Sequence, residues 1–296
     1  MSRRTARVSL AIALVLTGSQ ALAADFGYRV LAKKPQPRDH FVQGLQILDG
    51  KLYVSTGRYG ESRLLRYDFS SSRLEGGRKL HPRLWGEGLT ILDDTLYQLT
   101  WRAGMLLVYD LATLAYRETF PLPGEGWGLA HNGSELVYSD GSHRLHYLSP
   151  ETGERLRTIS VTEAGMPVPE LNELEWINGK IWANVVRTDR IVIIDPDTGV
   201  VSAGIDLAGL LPAAERQPDT SGLNGIALDP ADGGIWVTGK RWPWLYRIEL
   251  VPAGEPAPGQ PAAGQPDAGA PGPETVPGSQ SAPPTQNPLP EDTGKP

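Results

Sequence analysis

Between residues 24 and 250, apolar and polar residues alternate in short runs broken by Gly, Pro, Asn and Asp, which is the pattern of half-buried β-strands joined by tight turns. One outline recurs five times. A polar or aromatic residue, usually followed by glycine, opens an apolar run; a two-residue turn follows; a second alternating run then ends in a small polar cluster. Each copy predicts a β-hairpin. The opening residues are Gln43 in QGLQIL, Glu87 in EGLTIL, Trp127 in WGLAHN, Asn172 in NELEWI and Asn224 in NGIALD, separated by 44, 40, 45 and 52 residues. Third strands are expected at residues 64–68, 105–110, 144–148, 190–195 and 244–248, and fourth strands near 116–122, 156–161 and 200–207. The fifth copy has no fourth strand after residue 250, while residues 28–31 form an apolar run with no repeat of their own. A period of this size with about four short strands marks a propeller blade. The expected fold is therefore all-β, a five-bladed β-propeller closed by an N-terminal strand that pairs into the last blade and removes the open edges.

In such a ring the first strand of every blade lies nearest the axis, so the five opening residues should converge on one central channel. If they were only structural they would resemble one another. They do not, and Glu87 is the single carboxylate among them. The fourth copy also replaces the following glycine with Glu173, which adds a second acid beside the axis. The ends of the second strands bring Trp101, fourteen residues after Glu87, and Lys240, sixteen after Asn224, to the same place. An acid or two, amides, a lysine and indoles suit a pocket for a small molecule or a peptide terminus. Trp176, Trp182, Trp236 and Trp244 fall within strand runs and are expected in the core. His40, His81, His131, His143 and His146 lack metal-ligand spacing, so no metal site is expected among them. Ser139-Asp140 has no nucleophile elbow around it.

The ends of the chain change the picture of where it works. Residues 1–23 have a basic start, an apolar stretch too short to span a bilayer, and Ala21-Leu22-Ala23 before Ala24, the pattern of a cleaved signal peptide. A secreted, periplasmic protein is expected, with no membrane insertion once the leader is removed. Residues 24–250 form the propeller domain. Residues 251–296 hold half of the 26 prolines and no aromatic residue, a composition that stays disordered. The absence of cysteine removes disulfide stapling and thiol chemistry. The net charge of −6 becomes more negative without Arg3, Arg4 and Arg7, which argues against a nucleic-acid partner.

The motifs FVQGL (41 to 45), WGEGLT (85 to 90), LYQLTW (96 to 101), FPLPGEGWGL (120 to 129), PVPELNELEW (167 to 176), ANVVRTDRI (183 to 191) and VTGKRWP (237 to 243) resemble, in order, the plant and bacterial glutaminyl-peptide cyclotransferases. The resemblance runs through residues 27 to 250. It implies a five-bladed propeller without catalytic zinc that converts the N-terminal glutamine of a peptide or protein substrate to pyroglutamate with release of ammonia. It maps the essential acid onto Glu87, and channel groups onto Gln43, Trp85, Trp101, Trp127, Asn172, Glu173 and Lys240. Many members carry Phe where Trp85 stands, a Glu where Val54 stands, and a Trp where Val186 stands, so one acid and one indole of the family's channel are expected to be missing. The expected mechanism uses Glu87 as general base and acid, with Lys240 or the amide of Asn172 on the oxyanion, and Gln43, Trp85, Trp101, Trp127, Glu173 and Asn224 binding the substrate. No cofactor is expected, a structural calcium ion in the channel is left open, and the protein is expected to be a monomer. Two other readings compete: a non-catalytic peptide-binding propeller, and a metal-dependent propeller hydrolase or lactonase.

Overall fold

The computed structural model describes residues 24–253. The expected leader and nearly all of the Pro-rich tail lie outside the described residues. Strand β1 (Ala24–Pro35) is followed by four-stranded antiparallel sheets made of β2 (Val42–Leu48), β3 (Lys51–Thr56), β4 (Arg63–Asp68) and β5 (Arg73–Lys79); of β6 (Gly86–Leu92), β7 (Thr95–Thr100), β8 (Met105–Asp110) and β9 (Tyr116–Pro121); and of β10 (Leu129–His131), β11 (Leu136–Ser139), β12 (Arg144–Leu148) and β13 (Arg155–Ser160). A small hairpin of β14 (Thr162–Glu163) and β15 (Met166–Pro167) leads into β16 (Leu171–Ile177), β17 (Lys180–Val185), β18 (Arg190–Ile194) and β19 (Val201–Asp206). One 3-10 turn, Ala213–Glu215, is the only helical element among the described residues, and β20 (Leu223–Asp229), β21 (Gly234–Gly239) and β22 (Trp244–Pro252) follow it.

Strand β1 is longer than its apolar run suggested and does two things. It pairs antiparallel with β22 from Phe26↔Pro252 to Pro35↔Trp244, and its first residues pair parallel with β19, Ala24 facing Ala203. The parallel step joins β16–β19 and β20–β22 into one eight-stranded sheet. The two-residue hairpins have local causes. Asp49 and Gly50 between β2 and β3, and Asn178 and Gly179 between β16 and β17, all have positive φ, the geometry of a type I′ turn that Asp-Gly and Asn-Gly adopt most readily.

The core lies between neighbouring groups of strands. Among the described residues the buried apolar side chains fall into five clusters, each shared by consecutive groups: Leu64 and Tyr53 with Leu96 and Leu107, Leu99 and Leu106 with Leu136 and Tyr138, Tyr147 and Leu145 with Leu174 and Ile181. The series continues with Trp182 and Ile205 against Val237 and Tyr246, and closes with Trp236 and Leu245 against Val42 and Val54. Strands buried on both faces explain why the alternation in β3, β7 and β17 is weak, with nearly every residue buried. Trp182 and Trp236 are core residues, while Trp176 and Trp244 are half-buried against the same clusters.

The first strands touch in the cyclic order β2, β6, β10, β16, β20 and back to β2. Close backbone approach requires glycine here: a Cβ on Gly88 would meet the Leu129 nitrogen at 2.5 Å, and one on Gly128 would meet the Asn172 carbonyl oxygen at 1.9 Å. The result is an all-β, propeller-like arrangement.

Candidate active site

Four of the five first strands break register at the same place. The irregularities fall between Val42 and Gly44, Gly86 and Leu89, Leu171 and Leu174, and Leu223 and Ile226, so Gln43, Glu87, Asn172 and Asn224 all sit in β-bulges. A bulge frees a residue from the ladder and re-aims its side chain, here toward the end of the channel. In the third copy the strand begins only at Leu129, and Trp127 stands just before it, its N–H donating to the Ser139 carbonyl at 2.9 Å. A second repeated contact fixes the neighbours. The N–H at the end of the second strand donates to the carbonyl two residues before the bulge: Gly57 to Phe41, Trp101 to Trp85, Val186 to Glu170 and Lys240 to Gly222, at 2.8 to 3.0 Å.

These constraints gather Gln43, Trp85, Glu87, Trp101, Trp127, Asn172 and Lys240 around one open cavity of about 180 Å³, together with Phe41 and Val186. The aromatic wall is continuous, with the Trp85 ring 5.3 Å from Trp101, 5.4 Å from Tyr59 and 5.8 Å from Phe41. Glu87 is 5% exposed. Its Oε1 accepts from Gln43 Nε2 at 2.9 Å, and Gln43 Oε1 in turn accepts from Asn224 Nδ2 at 3.4 Å, a short relay that orients the carboxyl. The Ser55 hydroxyl donates to the Glu87 carbonyl and pins the backbone beneath it.

Burial pushes the Glu87 carboxyl well above the usual carboxylate range; the Lys240 charge works against that rise and Glu125 adds to it. Burial also lowers the Lys240 ammonium, with Glu87 opposing. Lys240 is half-buried, 5.4 Å from the Phe41 ring centroid, and makes no ion pair within 4.0 Å among the described residues, so it and Glu87 act on each other through space. The indole N–H of Trp85 and Oδ1 of Asn172 are buried without a hydrogen-bond partner, although the Trp85 N–H lies close enough to Glu87 to favour its anion slightly. Buried polar atoms at a cavity wall are costly unless something binds them.

Glu173 and Asn224 do not line the cavity. Glu173 is 1% exposed and both of its oxygens are occupied, by the N–H of Leu45 on β2 at 3.2 Å and of Ile226 on β20 at 2.9 Å. It bridges the first strands β2 and β20 away from the cavity, because the bulge turns consecutive residues to different sides. Asn224 acts one step back, through Gln43. Val54 packs in the core against the last group of strands and does not line the cavity, whereas Val186 does. Ser139 is structural, donating to the Asn172 carbonyl at 2.7 Å and accepting from the Gly128 N–H at 2.8 Å. No group of three or more His, Cys, Asp or Glu among the described residues could hold a metal ion.

Two residues escaped the sequence reading. Phe41 and Glu125 both stand two positions before an opening residue, where Trp85 stands in the second copy, and that equivalence was the available signal.

The model of the glutamine cyclotransferase family matches residues 6–250. This chain belongs to that family. Glutaminyl-peptide cyclotransferase of Arabidopsis thaliana is 38% identical over 227 residues, 75% of this chain and 70% of the relative. The crystal structure of the glutaminyl cyclase of Myxococcus xanthus is similar with a TM-score of 0.71 at 33% identity, covering 77% of this chain and 98% of that one.

Proposed function

We propose that the chain is a glutaminyl-peptide cyclotransferase, closing the N-terminal glutamine of a peptide or protein to pyroglutamate and releasing ammonia, with Glu87 moving the protons. The observation that carries this reading is a carboxyl buried under indoles, oriented by Gln43 and opened to a small cavity that also holds an amide and a lysine. The substrate's α-amine must lose a proton before it attacks its own side-chain amide carbon. An ordinary α-ammonium titrates near 7.7–8.0. A carboxyl raised by burial comes closer to that value than a free one, so proton transfer to it costs less. The amine nitrogen then bonds to the amide carbon, Lys240 or the Asn172 amide steadies the oxyanion, and Glu87 passes the proton it took to the leaving nitrogen as the carbon–nitrogen bond breaks; the ring nitrogen sheds its second proton to solvent and ammonia departs. The cyclisation consumes no water, and a small aromatic-walled cavity favours the folded five-membered geometry.

The five repeats are five blades, closed by β1 as the outer strand of the last, a reading supported by the cyclic contacts of the first strands and the β1–β22 pairing. Residues 1–23 serve as a secretion leader to the periplasm. The enzyme is a monomer and needs no zinc. The test is release of ammonia from a Gln-initiated dipeptide amide by protein dialysed against a strong chelator. Turnover that survives chelation is expected; loss that zinc restores would overturn the metal-free mechanism, and no turnover under either condition would overturn the function.

A further inference from the structure

Glu125 lies outside the cavity wall, yet it holds the indole N–H groups of two tryptophans that line it. It occupies the position two before Trp127, where the first two repeats carry Phe41 and Trp85. Its loop is held against the end of the neighbouring hairpin, with the Leu122 N–H donating to Gly104 at 2.8 Å and the Gly126 N–H donating to Trp101 at 3.0 Å. From there Oε2 accepts from the indole N–H of Trp101 at 2.8 Å and from that of Trp127 at 3.0 Å, while Oε1 accepts from Arg102 Nε at 2.8 Å. The Arg102 guanidinium also lies over the Trp101 ring, 3.9 Å from its centroid. Two indoles from different repeats, both lining the cavity, thus share one oxygen.

We propose that Glu125 is a positioning residue of the cyclisation site: its carboxylate locks Trp101 and Trp127 into one wall and sets a fixed negative charge beside Glu87. This rests on the function proposed above. A neutral acceptor would hold the indoles less well, since hydrogen bonds to an anion are roughly twice as strong. Glu125 is kept ionised: partial burial acts to raise its carboxyl, but the donors from Trp127, Arg102 and Trp101 outweigh it and hold it below its usual range. The charged groups acting on Glu87 are Lys240, from the turn after β21, and Glu125, from the loop before β10, and they pull its proton affinity in opposite directions. Lys240 lowers the proton affinity that burial gives Glu87. Glu125 offsets it without filling any of the space a substrate needs.

Two variants separate the two roles. In Glu125→Gln the amide oxygen can still accept from both indoles, but the charge is gone. In Glu125→Ala both are lost. The profile of kcat/KM against pH is measured on one Gln-initiated peptide, so that the substrate's own titration is common to every variant and any shift belongs to the enzyme. Near-ultraviolet circular dichroism reports the fixed indoles without needing turnover, and a thermal melt confirms that each variant is folded. Glu125→Gln is expected to move the acidic limb to lower pH with the indole signal kept. Glu125→Ala is expected to lose part of that signal and to raise KM about tenfold, the equivalent of about 1.4 kcal/mol. Glu125→Asp, charged but too short to reach both indoles, should restore the acidic limb and not the KM. An acidic limb that stays in place in Glu125→Gln, or an unchanged indole signal in Glu125→Ala, would overturn the assignment. If the wild-type protein fails to release ammonia, the functional reading falls, and the circular dichroism still decides whether Glu125 holds the indoles.

Discussion

Replacing Glu87 with glutamine separates shape from proton transfer. The two side chains differ by one atom, and the amide oxygen of a glutamine can accept the Gln43 Nε2 bond that the carboxyl now takes at 2.9 Å. The backbone is held independently, by Ser55 and by the bulge. The cavity should therefore keep its walls, and KM should stay within about threefold of the wild-type value, as for an interaction made only in the transition state. An amide cannot accept a proton from the substrate ammonium and return it to the leaving nitrogen. Loss of general acid–base help is typically worth 10² to 10⁴ in rate, so kcat should fall at least about 100-fold, or about 2.7 kcal/mol of barrier. Stability should move the other way. Because burial raises the Glu87 carboxyl in the folded state, ionising it opposes folding, and stability falls as pH climbs from the ordinary carboxyl range toward the raised value. Glutamine escapes that cost, so the variant should melt higher than wild type at neutral pH and equally at pH 4. The assay is steady-state ammonia release over a range of peptide concentrations, paired with melts at both pH values. A variant that retains most of its kcat would refute the proton-transfer role.

Two further predictions test the other buried acids. Burial pushes the Glu175 carboxyl up to about 8, against an opposing hydrogen bond from the Leu228 N–H, so folded-state stability should decline between about pH 4.5 and 8. Glu175→Gln should remove that decline, gaining on the order of 5 kcal/mol above pH 8 and nothing near pH 4 in chemical denaturation; equal gains at both would contradict it. Glu173→Leu should orphan the N–H groups of Leu45 and Ile226, costing roughly 2–6 kcal/mol at about 1–3 per group, while Glu173→Gln keeps one acceptor and loses less. KM should be unchanged in the Gln variant, and a raised KM without lost stability would return Glu173 to the substrate.

The repeats made the site legible before any coordinate was known, because convergence of equivalent positions is a property of the pattern itself. Gln43, Glu87, Trp127 and Asn172 meet at one cavity despite lying far apart in the chain, and the same logic carried Trp101 and Lys240. What the pattern could not carry was direction. A β-bulge shifts which of two consecutive residues faces inward, and nothing in NELEWI says that Asn172 turns to the cavity while Glu173 turns to the strands beside it. Position two before the bulge was hidden for another reason. It holds Phe41, Trp85, Glu125, Glu170 and Gly222, residues too unlike to align by type, although their carbonyls accept the same hydrogen bond in four copies. The length of β1 was also illegible, since its apolar run stops at Leu31, while Lys33, Lys34 and Pro35 pair with β22 because the strand's neighbour extends to meet them.

Three carboxyls are buried in the first strands among the described residues, and all three are raised by burial, so a perturbed proton affinity does not by itself single out the proposed proton carrier. Surroundings do. Glu173 has each oxygen tied to a backbone N–H, and freeing either would leave a buried donor unpaired. Glu175 stands two residues further along the same strand, beside a second cavity lined by Gln46, Thr90, His131 and Trp176, with no lysine among its walls. Glu87 alone faces a cavity with a cation across from it, indoles around it and a neutral amide holding one oxygen, leaving the carboxyl able to change its charge without breaking the fold. A proton shuttle must pass through both of its states in every turnover. Only a carboxyl whose partners tolerate both can do that, and among these three only Glu87 is so placed.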